Sequence, residues 1–72
     1  MRQPAAPIRR LLRTKEAAAY LCISEWKMRR LVQDGRVPYV QDGDGVPFLF
    51  DIRDLDSYID SNKHIGMDLL AG

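Results

Sequence analysis

Trp26, Lys27, Arg29, Arg30 and Gln33 are the residues of this chain best equipped for chemistry, and that chemistry is recognition. Within one short segment they bring together guanidinium, ammonium and amide donors and a large aromatic surface, a set suited to anions and to the edges of heterocycles. They belong to a wider bias. Residues 1–36 carry nine basic groups (Arg2, Arg9, Arg10, Arg13, Lys15, Lys27, Arg29, Arg30, Arg36) against three acids, a balance of +6. Residues 37–72 carry Arg53 and Lys63 against seven aspartates, a balance of −5. The net charge of +1 conceals this split, which makes one half fit for a polyanion and the other unfit.

Groups for bond-breaking chemistry do not assemble. Cys22 and His64 are single residues of their types, with no partner at the spacing of a metal site or a nucleophile–base pair. A Gly-rich phosphate loop is missing, and the aspartates from Asp51 to Asp60 stand two to four apart around the expected helix, as on a solvated face. The expectation is a protein that is not an enzyme and uses no cofactor and no metal. One cysteine leaves no internal disulfide, which fits a reduced, cytoplasmic setting. No apolar run approaches the roughly 20 residues that span a bilayer, and Met1–Pro7 is too polar and proline-rich for a signal peptide.

The elements that would position the basic set are short. Residues 1–10, with two prolines and three arginines, read as a flexible basic arm, and residues 61–72 as a tail; one domain fills residues 11–60. Thr14 is the expected N-cap of an alanine-rich helix running to Leu21, with Ala18 and Leu21 facing inward. Cys22-Ile23-Ser24 is room only for a turn. Ser24 caps a second helix, Glu25–Asp34, whose apolar face is Met28, Leu31 and Val32 and which stops at Gly35, well placed as a C′ glycine. Two short helices on a three-residue turn carry the helix-turn-helix signature. The period then changes. Val37–Val40 and Val46–Phe50 flank the Asp/Gly-rich turn Gln41–Gly45, which predicts a β-hairpin whose prolines, Pro38 and Pro47, suit edge strands. Asp51 is the expected cap of a third helix reaching Asp60, with Ile52, Leu55, Tyr58 and Ile59 on one face.

Helix, turn, helix, glycine, hairpin, helix is an order that resembles the excisionase-type DNA-binding domain, a small relative of the MerR winged helix-turn-helix. The resemblance covers Leu12–Ile59. It rests on Lys15-Glu16-Ala17-Ala18 with Tyr20-Leu21, on Ile23-Ser24, on Arg30-Leu31-Val32, on Gly35 with Val37-Pro38, and on Asp54-Leu55 with Tyr58-Ile59. It implies an α+β fold with a two-stranded hairpin wing and a C-terminal helix. The function it implies is that of a recombination directionality factor in a prokaryotic host. Such a factor binds double-stranded DNA beside an attachment site, bends it, and steers the integrase of a phage or mobile element towards excision. A small transcriptional regulator of the same fold fits the residues too, as does a protein-interaction module using the acidic third helix and tail. Three positions depart from the family pattern. Cys22 replaces the usual turn glycine, so a left-handed backbone is not expected there. Glu25 stands where a basic residue is common. Leu49 stands near a common arginine, and the Asp42-Gly43-Asp44 tip argues against phosphate contacts by the wing.

Set on that fold, ~100° per residue puts Trp26, Arg30 and Gln33 opposite the apolar face of the second helix, with Lys27 and Arg29 flanking, where they would enter a major groove. Arg30 can reach guanine O6/N7 and Gln33 can pair with adenine, while Lys27 and Arg29 clamp phosphates. Trp26 either stacks on the DNA or folds back over Tyr39 and the hairpin. Arg13, Thr14 and Lys15 either bind a phosphate at the first helix N-terminus or only cap it. Ser24 opens the second helix, and Arg36 touches the backbone beside the wing. Arg9 and Arg10 are expected loose in the free protein. Beside a neighbour's acidic surface they would give head-to-tail self-association on tandem DNA sites, worth about 1 kcal/mol or less per contact.

Overall fold

The structure, a computed structural model, describes residues 9–66, so most of the expected arm and the end of the expected tail lie outside the described residues. The order is β1 (Leu11–Arg13), α1 (Thr14–Leu21), α2 (Glu25–Gln33), β2 (Leu49–Asp51) and α3 (Ile52–Ser61), a small α+β winged helix-turn-helix.

The first helix starts on a strand. Arg13 pairs with Leu49 in β1 and is extended (φ −78°, ψ 170°), so it, and not Thr14, is the N-cap; Thr14 is already helical. The cap is completed from the third helical position, where Glu16 Oε1 accepts the Arg13 backbone N–H at 3.0 Å. At the other end, the Cys22 N–H donates to the Ala19 carbonyl (3.1 Å) and the Ile23 N–H to the Ala18 carbonyl (2.9 Å). This is a Schellman motif, and it requires a left-handed residue. Cys22 supplies it at φ 60°, ψ 40°, contrary to the expectation that this residue would escape that conformation. The turn is too short for another route, because Ser24 must already cap α2 with its Oγ accepting the Lys27 N–H at 3.0 Å. A Cβ in this region costs roughly 1–2 kcal/mol. The second helix ends in the same motif, with Gly35 N–H to Val32 (3.0 Å) and Arg36 N–H to Leu31 (2.9 Å), and there the left-handed residue is Gly35 at φ 70°.

The strands pair differently from the expected hairpin. β2 lies antiparallel to β1, with Leu12 opposite Phe50 and Leu11 opposite Asp51, and the Ile52 N–H reaches the Arg10 carbonyl at 2.8 Å. Val40 meets Leu49 in a single bridge, N–H to carbonyl both ways at 2.7 and 2.9 Å. Pro38 and Pro47 have no N–H to extend that ladder, so the wing is a loop closed by one pair. Residues 11–13 supply the second strand that the sequence assigns to 37–40.

Asp51 ends β2 and caps α3 as expected, its Oδ1 accepting the Arg53 N–H at 2.9 Å. The core is Leu12, Ala17, Ala18, Met28, Leu31, Val37, Phe50 and Leu55. Ala17 and Ala18 let α2 approach α1 closely, and fully buried Phe50 seats β2 against α1 and α3; its burial stabilises by roughly 2–3 kcal/mol. Leu21, Val32, Ile52 and Tyr58 pack half-buried around it. Tyr20 donates its hydroxyl to Asp56 Oδ1 at 2.6 Å, tying α1 to α3, and that bond raises the tyrosine above its ordinary pKa.

Candidate nucleic-acid interface

The apolar residues of α2 decide which of its side chains are presented. Met28 and Leu31 are buried and Val32 is half-buried, so the helix is held to the core along that stripe. Trp26, Lys27, Arg29, Arg30 and Gln33 are all exposed on the remaining surface. Trp26 is 62% exposed, which is unusual for so large an apolar side chain. The guanidinium of Arg30, one turn later, sits over its ring at 5.2 Å from the centroid. Tyr39, which the sequence offers as an alternative partner for Trp26, packs instead on Phe48 with ring centroids 4.5 Å apart.

Electrostatic engagement sorts the cations. Arg29 pairs with Glu25 at 3.5 Å across one helical turn, an exposed contact of little energy. Lys27, Arg30, Arg13 and Lys15 take part in no ion pair among the described residues. Arg36 lies over the ring of Tyr58 (5.6 Å) and donates to Asn62 Oδ1 at 3.3 Å, so it braces α3. Ser24 is exposed, with its Oγ committed as acceptor to the start of α2. Thr14 is half-buried, while Arg13 and Lys15 are exposed beside it.

The arginines before β1 behave otherwise. Arg10 Nε donates to Asp51 Oδ2 at 3.0 Å, with Nη2 in an ion pair 2.8 Å from the same oxygen, and Arg9 pairs with Glu16. The Asp51 side chain is only 14% exposed. The Arg10 hydrogen bond, with the Arg53 N–H, holds its carboxyl below the usual range, and Asp51 in turn raises Arg10. Glu16 is also held low, first by the Arg13 backbone N–H and then by Arg9. Arg9 and Arg10, expected loose, are thus docked on their own chain; the acids that hold them come from α1 and from the end of β2. Arg9, Arg13, Lys15 and Glu16 line one open cleft with Leu11 and Leu49.

Glu16 is the residue that sequence reasoning passed over. It stands at the capping-box spacing, three residues after Arg13; with Thr14 taken as the cap that position falls on Ala17, which hides the signal. The wing tip carries Asp42 and Asp44, exposed and acidic, and the stretch from Gln41 to Pro47 includes no basic side chain. Among the described residues no group of three or more His, Cys, Asp or Glu is placed to hold a metal, and no helix is long and apolar enough to cross a membrane.

A family model described as a helix-turn-helix domain, a DNA-binding family, matches residues 11–63. No curated protein and no solved structure matches the chain.

Proposed function

The chain belongs to the helix-turn-helix domain family, and on that premise we propose that it binds double-stranded DNA by laying α2 in the major groove, as an excisionase-type architectural subunit. The observation that supports this best is the α2 surface. Five exposed side chains suited to base edges and phosphates lie on a short helix whose opposite face is locked into the core. Arg30 and Gln33 read bases, Trp26 lies against the groove, and Lys27 and Arg29 meet phosphates. Arg13, Thr14, Ser24 and Lys15 approach the backbone at the two helix starts, and Arg36 contacts it from the wing side with the donors that Asn62 leaves over. Asp42 and Asp44 keep the wing tip off the phosphates.

In this reading the protein performs no chemistry. It acts in the cytoplasm of a prokaryote, beside an integrase, by shaping DNA near an attachment site. Self-association on tandem sites would require Arg9 and Arg10 to exchange their own acids for a neighbour's.

Two measurements test the proposal. Binding to random duplex should weaken with salt at a log–log slope of roughly −4 to −6, as expected for that number of phosphate contacts. A slope near zero would remove the DNA reading. Added to an integrase reaction on its own element, the protein should shift the products towards excision. Tight site-specific binding with no effect on that reaction would leave a regulator and overturn the excisionase role.

A further inference from the structure

Trp26 and Arg30 form the one exposed aromatic–guanidinium pair on α2, and the pair has a geometry of its own. The two residues are one turn apart, and a helical side chain leans back over the turn before it, so Arg30 naturally covers Trp26. With Cζ 5.2 Å from the ring centroid, the cation lies over the π-surface of the indole. Its five N–H donors form a fixed fork in the plane of the guanidinium. This contact restricts a long side chain that would otherwise sample many rotamers, and among the described residues no acidic partner neutralises the charge.

A guanidinium fixed in this way is set up for the in-plane pair of acceptors that guanine alone presents in the major groove, O6 and N7. The surface that lies against it on the protein is the indole of Trp26, a residue 62% exposed. Against such a surface an amino group or a carbonyl of the neighbouring base would lose its water without a partner. A methyl group would gain by burial. Among the unmodified bases only thymine carries one there, on C5.

We propose that Arg30 and Trp26 act as one reading unit for a guanine flanked by a 5-methylpyrimidine, with Arg30 on the guanine and Trp26 burying the methyl group. The inference rests on α2 entering the major groove, and it makes Trp26 a specificity residue for that contact. The shared chemistry is the methyl, which thymine and 5-methylcytosine both supply.

Selection from a random duplex pool, followed by titration of the best site and its single-base variants, tests this. The selected site should contain guanine beside thymine. Replacing that thymine by deoxyuridine should weaken binding about fourfold, the worth of one buried methyl group. Replacing it by 5-methylcytosine, with guanine opposite, should keep affinity within about twofold, whereas unmethylated cytosine should lose it. In Trp26→Ala the thymine-to-uridine difference should vanish and the guanine preference should weaken; in Arg30→Lys the guanine preference should be lost. Both positions are exposed, so the melting temperature serves as the check that these variants remain folded. Wild-type protein that selects guanine yet binds thymine and uridine sites equally would overturn the inference while leaving the groove reading intact. A thymine preference that uridine keeps and 5-methylcytosine loses would mean that O4 is read, and would overturn it as well. Failure to bind any duplex would overturn the parent reading and this one together.

Discussion

The arginines before β1 and the arginines of α2 are the same residue type in the same basic half of the chain, yet they sit in different electrostatic surroundings. Arg10 is held by Asp51 and Arg9 by Glu16, acids that also cap the starts of α3 and α1. Those pairs fasten the strand β1 and the helix starts to each other. Among the described residues, Arg29 is the one cation of α2 with an acid, Glu25, and the contact is long and exposed. Arg30 rests on an aromatic ring that leaves its charge uncompensated. A cation already answered within the fold adds little for a polyanion, whereas one merely oriented by the fold retains its full field. A basic bias therefore marks a half of the chain, and the pairing pattern marks the face.

The sharpest test of this division is a pair of truncations. Arg30→Ala should weaken specific DNA binding by about 1–3 kcal/mol and relax preference at one base, with the melting temperature unchanged. Arg10→Ala should lower the melting temperature and leave affinity for an isolated site nearly as it was. If both variants lost DNA binding to the same degree, the division would be wrong.

Next in size are the two helix ends, which share a motif but not a residue. Cys22→Gly should stabilise the fold by about 1 kcal/mol, because it removes the Cβ from a left-handed position. Gly35→Ala should destabilise for the converse reason even though a Cβ there has no neighbour within 4 Å. Denaturant midpoints that moved in the opposite directions would refute the strain argument.

A smaller effect separates the phosphate contacts. Lys27→Ala should reduce the magnitude of the salt slope by about 1, whereas Arg9→Ala should not change it. Equal changes would place Arg9 on the DNA as well.

The smallest expected effect is in pH. Asp51 and Glu16 are held below the ordinary carboxylate range, so their contribution to stability is complete above about pH 5 and is lost as pH falls through the depressed values. Tyr20 is raised, so its contribution is present below about pH 10 and is lost as pH rises through its folded value. The melting temperature should be flat between these limits, and Arg10→Ala should soften the acid limb. An unaltered acid limb in that variant would show that Asp51 is not depressed by Arg10.

Local patterns carried much of this protein in its sequence. The Met28/Leu31/Val32 stripe, the Ser24 and Asp51 caps and Gly35 depend on residues within one turn of each other, so spacing alone determined α2, the start of α3 and the face that α2 exposes. Contacts between distant residues could not be read in that way. Leu12 and Phe50 meet across β1 and β2 because both have a buried face to cover, and that pairing displaced the expected hairpin, whose prolines limit Val40 to one bridge with Leu49. The same pairing extended Arg13 and made it, in place of Thr14, the cap of α1. It also carried Asp51 to Arg10, forty-one residues away in sequence, where a residue expected to be loose became an anchor. Cys22 was forced left-handed by the need to close one helix and cap the next within three residues, a demand set by α1 packing on α2 and not by the residue's own preference. Charge sign and helical period are properties of the chain, whereas which charges are answered is settled only when distant segments share one core.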